Sequence, residues 1–399
     1  MMDALSDASF DSLKQDLSHK LLATKDPAQF LLTLIYSIPV LANIRICIET
    51  GIFTHLTNAE SLTAAELADK LPGTEITRLN DADVTARRDF IIRVLRPVCA
   101  INLIDECGVT AYRANALTRA LADPGLAAGF MLVFDNAMGP QSTIREMLNH
   151  ARDRNYQAPT SAHDGPWQKA RGTEGMSTFE SWVRDDPTQM ERLSLYMDGQ
   201  QRKVVHWTEW FPERALFGDQ RETERVLLVD VGGGYGHDVA AFAAKYPKNP
   251  GALVVQDQAG VLEEARIRRE ESGHVLDPRI TFMEHDFFAP QPVKHASIYY
   301  MHMIMHDWPD TECVEILAHL RDAMAADSRI LINDVILPVK DCPLFPAAFD
   351  MTMWALHSGM ERDEEQWERL IASVGGLEVV RFWHPPGKEG QGIVEVVRC

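Results

Sequence analysis

Apolar residues first recur at helical spacing from Gln29 to Leu56, with Val40, Ile44, Cys47 and Ile48 on one face and Gly51 ending the run. Ser61–Ala68 predicts a short helix with defined ends. Thr63 and Glu66 have capping-box spacing, and Leu62 is placed to staple to Leu67. A second helix is expected over Arg87–Ala100, where Phe90, Ile91, Val94, Leu95 and Val98 are apolar. Ile101–Asp105 and Val109–Arg113 then read as a short hairpin. Asn149–Gly175 is polar, rich in Ala, Asp, Gly and His, and reads as an irregular connection. Ser177 with Glu180 predicts a capped helix carrying Phe179 and Trp182. Pro187 suits the first turn of another, whose apolar face is Met190, Leu193 and Met197. That Met face fits either core or a ligand wall.

From Val226 onward the period changes. Strand-length apolar runs appear at Val226–Val231, Ala252–Gln256, Arg279–Met283, Ala296–Met301, Arg329–Asp334, Leu377–Phe382 and Gly392–Val397. Helical patterns separate the first five, which predicts a doubly wound, mostly parallel α/β sheet covered on both faces. No helix separates the last two, so they should pair antiparallel at one edge. The expected division is residues 1–174, an N-terminal helical and winged-helix region with its connection, and residues 175–399, the α/β domain.

The 399 residues are 46% hydrophobic and 24% charged, an ordinary globular composition, with a net charge of −19. That charge bears on the helix–helix–wing plan. Nucleic acid needs basic patches, and the Arg87–Arg88 pair is too little against an acidic background, so packing or dimerisation is the better reading. The chain start lacks a basic segment followed by an apolar one. No apolar run has bilayer-spanning length, so neither export nor a membrane partner is expected. Six scattered cysteines without CxxC spacing fit reduced thiols of a cytoplasmic protein.

Chemistry concentrates at the carboxyl ends of the predicted strands. The first strand ends in Asp230 and Val231, then Gly232, Gly233, Gly234 and Gly236 follow within five residues. Glycines there allow a tight turn and close approach of a ligand to the backbone. Asp257 ends the second strand, where an acid can bind the two hydroxyls of an adenosine ribose. Asp286 follows the third and could accept from an adenine amino group while Phe287 covers the ring. The fourth leads into Tyr299-Tyr-Met-His-Met-Ile-Met-His-Asp-Trp-Pro-Asp310, and Asn333-Asp-Val-Ile-Leu-Pro338 and Ser358-Gly-Met-Glu-Arg362 come later. His302 and His306 would make a metal pair only on a continuous helix. The strand ends before them and no third ligand is apparent, so no metal is expected.

The G-x-G-x-G spacing of Gly232, Gly234 and Gly236 resembles the first motif of S-adenosylmethionine-dependent methyltransferases. With the later strings, the chain from about Gln29 to Cys399 resembles the plant-type and fungal small-molecule O-methyltransferases. The family's "HDW.D" motif matches His306–Asp310, its acid before "ILP" matches Asp334, and its "GxER" acid matches Glu361. The resemblance implies S-adenosylmethionine as cofactor, a small-molecule acceptor, and a homodimer built by the N-terminal domain. The apolar stretch Phe30–Cys47, which needs burial on more than one face, agrees with a dimer. The resemblance also implies His306 as general base, oriented by Glu361 and Asp334. Neutral imidazole can take the proton of a phenol, whose pKa is about 10. A carboxylate on the other ring nitrogen fixes the tautomer. Met197, Met301, His302, Met305, Met353, Trp354 and His357 fall in segments matching the family's substrate wall.

Two positions depart from the pattern. His302 stands where the family usually carries Lys or Arg, which alters charge near the cofactor's carboxylate end or the site wall. Asp363 replaces a threonine and should add negative charge beside Glu361. A minority of fungal proteins on this fold are pericyclases that retain the cofactor without using its methyl, some lacking the base. A non-catalytic scaffold would have no use for the three retained residues, and His306 favours methyl transfer.

Overall fold

The computed structural model describes residues 37–72, 81–139, 141–155, 158–201, 205–217, 225–249, 251–273, 275–340, 342–386 and 391–399. The start of the Gln29–Leu56 pattern, including residues 30–36 of the apolar stretch, lies outside them. The chain forms two compact units: 1–135 with 187–203, and 136–186 with 204–399.

The first unit is mainly helical. Helices Ser37–Glu49 and Ile52–Thr57 are separated by Gly51, which turns the chain at φ +70°. Thr63 and Glu66 form the expected capping box. The next helix begins earlier than Arg87, spanning Asp81–Ala100. The hairpin is displaced. Ile101–Ile104 is a turn, and β2 (Asp105–Gly108) pairs with β3 (Ala111–Arg113), which also pairs with β1 (Leu62–Thr63). Ile104 is buried, and Asn102 at φ +60° reverses the chain, so the residues read as strand are spent on the bend. Cys47, Phe53, Leu56, Ile91, Leu95 and Tyr112 are the centre of this unit's core. Met197 lies half-buried on helix Thr188–Gln201, also in this unit.

In the second unit the segment read as irregular, Asn149–Gly175, contains the last turn of helix Thr143–Asp153 and the short helix Pro166–Arg171. Their apolar content is sparse, but Trp167 is buried edge-on against Trp182 and donates its Nε1–H to Ser181 at 2.9 Å. Thr143, Met147, His150 and Ala151 form the buried face of the longer helix, while tertiary burial of Trp167 orders the shorter one. Ser177 and Glu180 cap helix Thr178–Asp185 as expected.

Seven strands follow: β4 (Leu228–Val231), β5 (Leu253–Asp257), β6 (Ile280–Glu284), β7 (Ile298–His302), β8 (Arg329–Leu337), β10 (Leu377–Trp383) and β11 (Gln391–Arg398). Their order is β10-β11-β8-β7-β4-β5-β6. A two-residue strand, β9 (Arg362–Asp363), pairs with the far end of β8. Strands β8, β7, β4, β5 and β6 run parallel, while β11 and β10 complete one edge antiparallel. The chain builds outward from β4 through β5 and β6, then returns to lay β7 on the other side of β4. A sheet with that reversal binds ligands beyond the carboxyl ends of the strands at the switch. Here those ends are Val231, leading into the glycine turn, and His302. Among the described residues no helix is long and apolar enough to cross a membrane.

Candidate active site

The turn after β4 is built by glycine. Gly232, Gly234 and Gly236 have φ of +74°, +56° and +79°, a region costly for other residues. A Cβ on Gly233 would meet the buried Asp230 carboxylate at 2.6 Å. One on Gly234 would meet nothing within 4 Å, so the backbone there borders open space. Asp257 Oδ2 accepts from Gly234 N–H at 2.9 Å, and Oδ1 accepts from Gln258 N–H at 2.8 Å. Burial pushes Asp257 upward, as it does Asp230, where repulsion from Asp238 and Asp257 adds to it. Asp286 is exposed and accepts from Phe288 N–H at 3.0 Å, while Phe287 lies edge-on to Trp308. The open cradle at Gly234, with two acids and an aromatic ring on adjoining strand ends, fits an adenosine-bearing cofactor.

His302 ends β7, and its Nδ1 pairs with Asp238 Oδ2 at 2.8 Å. The other oxygen of Asp238 holds His206 Nε2 at 2.7 Å. Burial opposes charge on His302, but Asp238 prevails and raises it above the usual imidazole value. The position that departs from the family's cation therefore carries an imidazole with its own counter-charge. His206 and Asp238 escaped the sequence reading because they lie 32 positions apart and no motif links them.

At Met303, φ +55°, the chain leaves β7 and enters a 3-10 turn, Met305–Asp307. His302 and His306 thus lie on strand and turn, and each gives its Nδ1 to a different carboxylate. His306 is buried, and its Nδ1 meets Glu361 Oε1 at 2.7 Å. With that nitrogen as donor, Nε2 is the acceptor atom, 3.6 Å from Asp307 Oδ1. Burial opposes protonation of His306, yet Glu361, Asp307 and Asp334 together push it up to about 10. Asp307 is pushed up to about 7, by burial and by repulsion from Asp334 and Glu361. Glu361 is raised by burial, and its backbone N–H is fixed by Asp350 Oδ1 at 2.9 Å.

Asp334 differs from the expectation that it orients the ring. It is buried, and neither carboxylate oxygen has a hydrogen-bond partner among the described residues. It acts on His306 as charge, and Glu361 alone holds Nδ1. Asp363 is likewise not a charge on the site. It caps helix Glu364–Val374, accepting from Gln366 N–H at 2.8 Å.

His357 ends helix Leu344–His357, stacks on Phe179 at 4.7 Å between centroids and meets Trp182 edge-on. Burial, with the positive charge of His306, pushes it down to about 3, so the ring is neutral. Met353 is buried and Trp354 half-buried on the same helix. Met301 and Met305, expected at the wall, are instead fully buried in the core cluster with Ile332 and Cys313, because they project into the layer behind the turn. Phe349, which the sequence reading did not single out, lies 5.5 Å from the His306 ring and continues to Phe345. Asp307 was readable from its place inside the motif, beside the base.

A fold with this switch-point cradle and a buried His–Glu pair beside it defines a cofactor-dependent group-transfer class. An O-methyltransferase domain model matches residues 158–376. O-methyltransferase asqD of Emericella nidulans is 32% identical over 90% of this chain and 87% of its own. Demethylsterigmatocystin 6-O-methyltransferase of Aspergillus flavus is 33% identical over 89% and 84%. Among solved structures, LepI in complex with SAM superimposes with a TM-score of 0.84 at 26% identity, covering 98% of this chain and 94% of that one. OxaC in complex with SAH and oxaline gives 0.81 at 25%, covering 100% and 95%. Another neighbour, described as a pericyclic reaction enzyme, gives 0.84 at 26%, covering 98% and 94%. The chain belongs to the S-adenosylmethionine-dependent O-methyltransferase family.

Proposed function

We propose that the protein methylates a phenolic or enolic hydroxyl of an aromatic, polyketide-like metabolite, with His306 as general base. The observation that carries this reading is the buried His306–Glu361 contact at 2.7 Å, which leaves Nε2 as the atom able to take a proton. Asp230, Gly232, Gly234, Gly236, Asp257, Asp286 and Phe287 would hold S-adenosylmethionine, which supplies an electrophilic methyl and a positive charge on sulfur. Met353, Trp354, His357 and His302 would line the acceptor's surroundings.

Nε2 would accept the hydroxyl proton as the methyl carbon passes from the cofactor's sulfur to the oxygen, the electron pair of the broken carbon–sulfur bond returning to sulfur. Glu361 stabilises the imidazolium, and Asp334 and Asp307 add negative potential without contacting Nδ1. General base catalysis contributes roughly 10²–10⁴-fold. Much of the remainder is orientation of two bound reactants. The relative named for demethylsterigmatocystin and the OxaC complex with oxaline support a small-molecule acceptor.

One observation favours a second reading. Glu361, Asp307 and Asp334 favour the charged form of His306 before any ligand binds, which suits a proton donor in a pericyclic or dehydrating reaction. The neighbour described as a pericyclic reaction enzyme points the same way. Mass spectrometry of candidate acceptors incubated with enzyme and cofactor separates the two. A gain of one methyl supports the transferase, whereas a cofactor-dependent isomer of unchanged mass overturns it.

The homodimer belongs to the same proposal. Ile38, Leu41, Val84 and Phe90 are large exposed apolar residues of the first unit, and a dimerising winged-helix-like region would cover them. Six free thiols support a reducing compartment such as the cytoplasm.

A further inference from the structure

Arg362 follows Glu361 directly and is 1% exposed. Its fork is fully engaged. Nη1 donates to the carbonyls of Met305 at 3.1 Å and Met360 at 3.3 Å. Nη2 donates to the Trp308 carbonyl at 3.0 Å and to Asp310 Oδ1 at 2.7 Å, and Nε donates to the same Asp310 oxygen at 3.0 Å. The guanidinium also lies 5.2 Å from the Trp367 ring centroid. Met305 and Trp308 bracket His306 in the chain, while Met360 adjoins Glu361. One buried cation therefore ties together the backbones that carry both members of the reactive pair.

The Met305 carbonyl also accepts from Trp308 N–H at 3.3 Å, which closes the turn. A 3-10 turn of three residues satisfies few acceptors beyond that, and buried carbonyls left unmade are costly. The Cys313 thiol shares the Met305 and Trp308 carbonyls at 3.3 Å each. Arginine alone offers five donors in a rigid plane that can reach several carbonyls and a carboxylate together. Lysine keeps the charge with a single ammonium on a flexible stem.

We propose that Arg362 is the positioning residue for the His306–Glu361 pair, fixing their separation by clamping the turn that carries one and the segment beside Met360 that carries the other. The proposal rests on the reading of that pair as the reactive centre. The groups facing His306 are Glu361, Asp307, Asp334, His302 and the neutral His357. Asp310, the guanidinium's counter-charge, is not among the charges that act on His306.

The test is the titration of His306 in full-length protein with isotopically labelled histidine, followed by NMR without acceptor and assigned with H306Q. In Arg362→Lys the direct field is kept while the clamp is loosened, so contact with Glu361 weakens. The midpoint should fall by about one pH unit or more. Turnover should fall roughly 10–100-fold while the KM for cofactor stays within about twofold. Asp310→Asn alters a largely exposed side chain, keeps the fold, and should move the midpoint the same way by a smaller step. Wild-type midpoints in both variants overturn the proposal. So does a wild-type midpoint in D310N alone if R362K cannot be purified. An R362K/E361Q double variant should titrate like E361Q, since the clamp acts through Glu361. Because the titration needs no product, loss of the methyl-transfer reading and loss of the clamp are separately visible.

Discussion

Gly359 packs against His306 so closely that a methyl group on its Cα would collide with the His306 carbonyl oxygen. The next residue, Met360, donates its N–H to that same oxygen at 3.0 Å. Gly359→Ala should therefore push the segment bearing Glu361 away from the turn bearing His306. Stability should fall by about 1–3 kcal/mol, as for other overpacked sites. Denaturant titration reads that loss, and kcat measured well below the new Tm should fall with it. An alanine variant of wild-type stability and rate would mean that the two segments are free to separate.

Replacing His306 by Gln should lower kcat by roughly 10²–10⁴-fold. Affinity for S-adenosylhomocysteine should hardly change. The pH dependence has a definite sign. Only the neutral ring accepts a proton, and its neighbours push the ring up to about 10, so the methylation rate climbs as pH rises towards that value. A positive charge bound beside the ring opposes imidazolium, so the climb in the working complex begins lower. Glu361→Gln should shift it lower still while reducing the maximum. A rate that falls over the same range marks the imidazolium as a proton donor and supports the pericyclic reading.

At the cofactor cradle, Gly234→Val places a branched side chain at φ +56° into open space beside the backbone. Asp257→Ala removes the carboxylate held by Gly234 and Gln258. Each should weaken S-adenosylhomocysteine binding in calorimetry, the second by about 1.5–3 kcal/mol, the usual worth of hydrogen bonds to a charged group. Two variants binding like wild type would leave the glycine turn a purely structural device.

His357 makes the fold acid-sensitive. Its ring is pushed down to about 3, whereas in the unfolded chain it titrates near the ordinary imidazole value of about 6.5. Between those limits the unfolded state binds the extra proton, so this contribution to stability is present above the upper value and lost as pH falls towards the lower one. His357→Phe keeps the stacking with Phe179 and Trp182 and should flatten the acid side of the Tm–pH curve. An unchanged slope would assign the acid sensitivity to other groups.

Light scattering at micromolar concentration should give a mass near twice the 44.8 kDa chain. A single-chain mass would show that the exposed apolar residues around Phe90 are tolerated in a monomer.

Strands β4 to β8, β10 and β11 were legible because each is a run of strand length bounded by turn chemistry, and the antiparallel edge followed from a missing helix. The site's acids were legible because parallel sheets deliver ligands to strand ends. Less visible was whatever depends on contacts between distant segments. Trp167 and Trp182 order a stretch whose composition looks irregular. Asp334 stands in the family's motif, yet only coordinates reveal that it makes no hydrogen bond to the ring. Asp363 was read as a charge near the site because sequence adjacency says nothing of direction, and its side chain turns to the following helix.

Strand β8 pairs with β7 through Asn333 and with β11 through Val335, then continues to Ile336 and Leu337, where it pairs with Arg362 and Asp363. One uninterrupted rod thus runs from the middle of the sheet to the short strand that follows Glu361. Peripheral loops of most enzymes can fray independently of the body that supports them. Here the ladder of Ile336 and Leu337 with Arg362 and Asp363 extends the central strand β8, so its amides should exchange with solvent only when the sheet itself opens. Glu361, one residue before that ladder, is thereby anchored to the sheet rather than to a free loop.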